Sequence, residues 1–407
     1  MSNTPLQKLC LIIVTLLVVA DGANSQESRS YEFIPYPDIW YNDVDGIRLG
    51  ARVVGQVPGT FNDGPHRLHA GVWIGTWWPE LPVSYYLDFT EPIPAISAFN
   101  SEGNLQLVSS VRTGLSRHSL RFNKRWQQGF DQRSYQKLTV GVTAQQLIDA
   151  GYPVYRHLWQ QEWLWLGTVS FRKQGDNRLG FNLFSVDLAA NLAGEAPSFS
   201  TFRLIAKQGI ALGKGFHLRS RFFGGIASDN TVPEMLFGRS FRQADRWVGS
   251  SLVRAKGTIP AAWMGSGTFQ VTGGANLRGY TNQDITALEQ GAAPLLTSIG
   301  AINLELDYPN PIDRAIRKVP AVGDLVRLRS YLFNDTGTSL GFTEREESRV
   351  LSDAGAGFAL SLNIPDNLGN PRGLELRYDI PLWVSHASSG NNFAFRSVIG
   401  LGAIFTL

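Results

Sequence analysis

Apolar and polar residues alternate with a period of two along most of this chain. Ile302, Leu304, Leu306 and Tyr308 share one face of an extended segment, and Asn303, Glu305 and Asp307 share the other. The segment from Val326 to Asp335 sets Val326, Leu328, Ser330 and Leu332 against Arg327, Arg329, Tyr331, Phe333 and Asp335. From Leu374 to Leu382, Leu374, Leu376, Tyr378, Ile380 and Leu382 oppose Glu375, Arg377 and Asp379. The last segment sets Phe393, Phe395, Ile399, Leu401, Ala403, Phe405 and Leu407 against Ala394, Arg396, Gly400, Gly402 and Thr406. Runs of about 8–12 residues with one apolar face match tilted strands crossing a bilayer.

The same pattern predicts eleven strands before Tyr280. They lie near Ile47–Gly55, Leu68–Trp78, Val83–Phe89, Leu105–Arg112, His118–Trp126, Ser134–Gly141, Glu162–Arg172, Gly180–Leu188, Phe202–Gln208, Phe216–Gly224 and Gly249–Ala255. Five follow: Ile299–Tyr308, Val326–Asp335, Ala354–Leu362, Gly373–Leu382 and Phe393–Leu407. The expected fold is all-β, a transmembrane antiparallel β-barrel of 16 strands. Trp73, Trp77, Trp78, Tyr85, Trp163, Trp165, Tyr308, Tyr378 and Trp383 cluster near strand ends, as an interfacial aromatic girdle would. Three connections are long: Thr143–Gln161, whose AQQLIDAG suits a helical turn, Ile226–Val248 and Asn310–Leu325. Strand parity puts all three at the periplasmic end, against the usual preference for short turns there.

Composition agrees with this picture. Of 407 residues 42 are glycine, aromatics make up 11 % and charged residues 17 %, and the formal net charge is only +3. Near neutrality without a basic block argues against nucleic acid as a partner. Lys8 followed by the uncharged run Leu9–Ala20 and small residues at Ala23-Asn24-Ser25 reads as a signal peptide over residues 1–25, with the barrel domain at 26–407. Cys10, the only cysteine, lies in that leader, so disulfides and thiolate metal sites are not expected.

Catalytic, cofactor-binding and metal motifs are all missing from the sequence pattern. His66 and His69, in an H-x-x-H, would point to opposite faces of a strand. The six histidines suggest no Ser–His or Asp–His dyad, so no enzyme is expected. Arg327, Arg329, Arg377, Arg396, Glu375 and Asp379 form a charged stripe. It reads as solvation of a wet lumen, or alternatively as a selectivity lining.

One motif stands out. GGANLRGY, Gly273 to Tyr280, lies in a long connection five strands before the C-terminal end, and F-N-D-T-G, Phe333 to Gly337, lies on the second strand after it. An R-G-Y tripeptide followed by F-x-D-x-G in this order resembles the BamA and two-partner-secretion (TpsB) transporter superfamily, the bacterial surface antigen family. The NLELDYP and GLELRYDIPL strands resemble that family's twelfth and fifteenth strands. The resemblance covers about the last 150 residues by motif and the rest by strand pattern.

The resemblance implies that Arg278, Gly279 and Tyr280 sit at the tip of a sixth extracellular loop folded into the lumen. It also implies that Arg278 meets Asp335 of the Phe333–Asp335–Gly337 motif on the thirteenth strand. Physical reasoning favours the pairing independently, because a charge inside a barrel must be solvated or paired. Glu305, on the adjacent strand, is a second acidic candidate.

The family's periplasmic POTRA domains find no counterpart in the sequence pattern. The implied function is translocation or insertion of protein or lipid at the bacterial outer membrane after signal-peptide export. Lipid would surround the barrel, and a separate periplasmic partner or client polypeptide would meet it. Ile47–Gly55 and Phe393–Leu407 would form the closing seam, weakened by Gly400 and Gly402. A passive pore or structural barrel is the alternative.

Overall fold

The computed structural model describes residues 31–42, 46–57, 66–77, 83–112, 114–127, 133–148, 159–240, 242–243, 269–281, 295–320, 322–339, 350–365, 371–387 and 390–404. Seventeen strands belong to one sheet. They are β1 (Glu32–Asn42), β2 (Gly46–Gln56), β3 (Arg67–Gly75), β4 (Val83–Pro92), β5 (Ser101–Arg112), β6 (Leu115–Gln127), β7 (Tyr135–Leu147), β8 (Leu164–Asn177), β9 (Gly180–Asn191), β10 (Ser200–Gly213), β11 (Phe216–Ala227), β12 (Phe269–Val271), β13 (Ser298–Tyr308), β14 (Val326–Ser339), β15 (Val350–Pro365), β16 (Pro371–Val384) and β17 (Val398–Ile404).

All but β12 form one antiparallel ladder of sixteen described strands, each paired with its neighbour and with β11 joined directly to β13. The sheet curls into a barrel. Lys207 on β10 comes within electrostatic range of Glu375 on β16, far along the ladder.

The expected alternation decides which face is which. Ile302, Leu304, Leu332, Phe358, Leu376 and Tyr378 are exposed on the outer surface, whereas Asn303, Asp307, Tyr331, Phe333, Asp335, Arg377 and Asp379 are buried inside. An apolar exterior and a polar interior invert the arrangement of a soluble sheet, as lipid requires. No described helix is long and apolar enough to cross a membrane.

The ladder corrects the expected strands at both ends. Residues 32–42 form a first strand that the sequence reading passes over because it contains Pro35 and Pro37. Ile47–Gly55 is therefore the second strand, flanked by β1 and β3 rather than by the last strand. Gly249–Ala255 lies outside the described residues, and β11 pairs directly with β13. The last strand begins at Val398, and Phe393, Phe395 and Arg396 belong to the preceding connection. There Arg396 donates to the carbonyls of Ala394 and Asn391 at 3.3 and 3.2 Å instead of joining the lumen stripe.

Adding β1 also moves the connections. Those after β7 and β11, the second of which carries Arg278, now start from one end of the barrel, and only Asn310–Leu325 stays at the other. That connection carries α1 (Pro311–Ile316), N-capped by the Asn310 side chain, and α2 (Val322–Leu325). Ala144–Leu147, expected in a helical turn, completes β7 instead. Trp73 is not part of a lipid girdle. It is buried in the lumen, where its indole N–H donates to Asp38 at 2.7 Å and the Arg48 guanidinium lies over its ring at 4.6 Å.

The two ends of the ladder differ from its middle. The β1–β2 ladder runs unbroken from Glu32↔Gln56 to Asn42↔Gly46. Pro35 and Pro37 have no N–H, so an unbroken ladder places their backbone among the groups turned away from β2, on the outer edge of the strand. At the far end, β16 pairs with one edge of β17. The three-residue β12 lies in parallel along the other, from Phe269↔Ile399 to Val271↔Leu401. Gly400 stands opposite Arg377 in register, where an added Cβ would come within 2.9 Å of the Arg377 Nε.

Candidate functional site

The connection between β11 and β13 turns inward. Its GGANLRGY stretch needs two left-handed residues, Gly273 at φ +124° and Asn276 at φ +58°, conformations that glycine and asparagine tolerate best. The Asn276 side chain accepts from the Gly273 N–H at 3.1 Å, and the Leu277 N–H donates to the Arg239 carbonyl at 3.0 Å. Arg278–Tyr280 then make a single 3-10 turn. Ala275, Leu277 and Tyr280 join a buried cluster with Phe223, Phe237, Leu296, Ile299, Ala301, Leu351 and Val384. The loop thus carries its own apolar core into the barrel, and burial of these side chains holds it there.

The Arg278 side chain is 1 % exposed and meets carboxylates from three strands. Its Nε donates to Asp335 Oδ2 at 2.7 Å and its Nη2 to Asp335 Oδ1 at 2.9 Å, a bidentate fork on β14. Its Nη1 donates to Glu305 Oε1 on β13 and to Asp379 Oδ1 on β16, each at 3.1 Å. The guanidinium carbon lies 3.9 Å from the centroid of the Phe333 ring, a cation–π platform two residues before Asp335 on the same face.

The carboxylates are themselves held. Asn303 donates to Asp335 Oδ1 at 3.0 Å, Tyr331 to Asp379 Oδ1 at 2.6 Å and Arg329 to Glu305 Oε2 at 2.7 Å. Arg377 stands 3.4 Å from Asp379 and 3.7 Å from Glu305. Arg221 on β11 reaches the loop itself, donating to the Gly274 carbonyl at 2.6 Å and to Asn303 Oδ1 at 2.7 Å.

Both glycines of the two motifs sit where a side chain cannot. A Cβ on Gly279 would come within 2.6 Å of Val384 Cγ1 and 2.8 Å of Asp353 Cβ. One on Gly337 would approach the Gly300 carbonyl at 2.9 Å and Leu277 Cδ2 at 3.2 Å. Tyr280 closes the far side, its hydroxyl donating to the Ser352 carbonyl at 3.0 Å with Ser385 Oγ also at 3.0 Å.

The structure therefore brings together Arg278, Gly279, Tyr280, Glu305, Phe333, Asp335 and Gly337. It adds Asp379, Asn303, Tyr331 and Arg221, none of which the sequence alone singles out as a partner of Arg278. Their luminal parity was readable, but their convergence depends on register across several strands. A second cluster holds a Ser–His contact that the sequence reading, which saw no such dyad, did not single out. Ser109 Oγ lies 2.9 Å from His118 Nδ1 on the outer face.

Fold and site together define an antiparallel β-barrel whose lumen is entered and bound by one of its own loops. No protein-family model matches the chain, and no curated protein matches it. Among solved structures it is similar to BamA from Haemophilus ducreyi lacking POTRA domains 1-3, at 12 % identity and a TM-score of 0.49, over 93 % of this chain and 71 % of that one. It is also similar to CdiB from Escherichia coli, at 10 % identity and a TM-score of 0.40, over 94 % of this chain and 64 % of that one.

Proposed function

We propose that the protein is an outer-membrane barrel that translocates or inserts protein or lipid, with its lumen plugged at rest by the Arg278 loop. The observation that carries this reading is the binding of one buried guanidinium by Asp335, Glu305 and Asp379 from three strands. A barrel that only conducts gains nothing from burying an arginine at this cost in desolvation, whereas a plug needs a specific anchor. The paired R-G-Y and F-x-D-x-G motifs and their resemblance to the transporter superfamily support the same reading.

The work of the plugged lumen is mechanical. The weak place is the junction of β1 and β17. Prolines remove donors from the edge of one strand, and among the described residues three of loop backbone lie along the edge of the other. Surrounding lipid and a client polypeptide are the expected partners, with a separate periplasmic protein as the source of clients. The 310–325 connection, at the end opposite the Arg278 loop, is the candidate docking surface for that protein.

Single-channel recording in planar bilayers tests the reading. Small, flickering openings that enlarge when Arg278 is replaced by alanine would support it. A large, steady, ohmic conductance in the wild-type protein would instead indicate a passive pore.

A further inference from the structure

We propose that the outer face of the barrel carries a second, chemical activity: hydrolysis of a lipid acyl ester by Ser109 with His118 as its base. The register of β5 with β6 sets Ser109 directly opposite His118. Both share the parity of Leu105 and Leu120, which are 44 % and 56 % exposed, so the pair lies on the outer side of the barrel, with Ser109 itself 5 % exposed beneath its neighbours. Ser109 Oγ lies 2.9 Å from His118 Nδ1, and His118 Nε2 lies 2.9 Å from Ser116 Oγ. Tyr85 Oη stands 3.0 Å from Ser109 Oγ. The imidazole stacks on Trp163 with centroids 6.2 Å apart and planes at 29°, which fixes its orientation.

Four roles are filled within hydrogen-bond reach. A neutral imidazole accepts at one nitrogen and donates at the other, so it can take the Ser109 proton while Ser116 holds its opposite N–H. This is the logic of a nucleophile, a base and an orienting group, with a hydroxyl in place of the usual carboxylate. Tyr85 supplies an O–H about one hydrogen bond from the point of attack, where a carbonyl oxygen would gain charge.

A place for the acyl chain lies on the strands that follow β6. On the same outer surface, β7 to β11 leave an apolar groove of about 700 Å³ lined by Val142, Val169, Leu188, Phe202 and Ile226. Val142 is two residues along β7 from Ala144, the register partner of His118. Trp163 and Trp165, 6.4 Å apart, mark the depth at which hydrocarbon gives way to headgroups. An acyl chain lying in the groove would present its ester at that depth.

Ser109 Oγ adds to the ester carbonyl carbon as its proton passes to His118 Nδ1, and the carbonyl oxygen, now negative, accepts a hydrogen bond from Tyr85. The bond between that carbon and the lipid alcohol oxygen breaks, and the alcohol leaves with the proton from His118. Interfacial water repeats the sequence on acyl-Ser109 and releases the fatty acid. Ser116 acts as a positioning residue.

The test uses the full-length protein refolded in phosphatidylethanolamine and phosphatidylglycerol vesicles, with preparations matched for folded fraction by heat-modifiable gel mobility. Turnover is followed with p-nitrophenyl palmitate, and an alkyl fluorophosphonate maps the nucleophile by mass spectrometry. The label is expected on Ser109. Ser109→Ala and His118→Ala are expected to lose turnover by about 100-fold or more. Ser116→Ala is expected to lower kcat with KM unchanged, and Ser116→Thr to restore it. Arg278→Ala is expected to hydrolyse at the wild-type rate and Ser109→Ala to conduct as wild type, which separates this activity from the plug. Absence of label, label elsewhere, or undiminished hydrolysis by Ser109→Ala overturns the proposal.

Discussion

The lumen wall from β13 to β16 and the junction of β1 with β17 are built on opposite rules. In the wall, side chains from four strands converge on one loop, and Arg278 donates to three carboxylates. At the junction, β1 turns Pro35 and Pro37 to its outer edge, and among the described residues β17 offers its second edge to three of β12. The difference separates holding from yielding. Buried charge networks tolerate no partial loss of partners, whereas an edge strand without donors cannot zip fully against a neighbour. Because β12 ends seven residues before Arg278, one loop touches both regions, so loosening either should be felt at the other.

The predictions follow from breaking one side of this comparison at a time. Arg278→Ala should have the largest effect. It strands Asp335 and Asp379, both fully buried, and costs about 3–5 kcal/mol. It should expose the 228–297 loop to protease and lower the temperature of the heat-modifiable gel shift. Gly279→Val should come next, at about 1–3 kcal/mol, because its Cβ has only 2.6 Å to Val384. The same gel shift measures it.

Phe333→Leu keeps an apolar, smaller side chain but removes the ring 3.9 Å from the guanidinium, and should cost about 0.5–2 kcal/mol. Tyr280→Phe removes a single hydroxyl, for about 1 kcal/mol. The smallest change in stability should come from the junction. Pro35→Val with Pro37→Val restores two edge donors, and should raise the gel-shift temperature by a few degrees and shorten the open events in single-channel traces.

Much of this barrel is legible in its sequence, because a period of two survives wherever one face meets lipid and the other meets the lumen. Alternation alone places Asp335, Glu305 and Asp379 inside, and the resemblance carried by the R-G-Y and F-x-D-x-G motifs implies that Arg278 meets Asp335. Its failures have physical causes. β1 hides behind Pro35 and Pro37, since proline normally argues against a strand and is accepted here only on an outer edge. Trp73 looks like a girdle residue by type, yet its parity with Gly71 and Gly75 turns it into the lumen. Asp379 is 101 residues from Arg278 in sequence, and Ser109 is nine from His118 across a tight turn, so only the strand register reveals either contact.

The central claim is that Arg278 and Asp335 act as one unit that holds the loop in the lumen. A double-mutant cycle through Arg278→Ala, Asp335→Ala and the pair, read as thermal stability in detergent micelles, measures that coupling directly. The account predicts a coupling of about 2–3 kcal/mol, with the double variant little worse than Arg278→Ala alone. Additive losses, with coupling below about 0.5 kcal/mol, would contradict it.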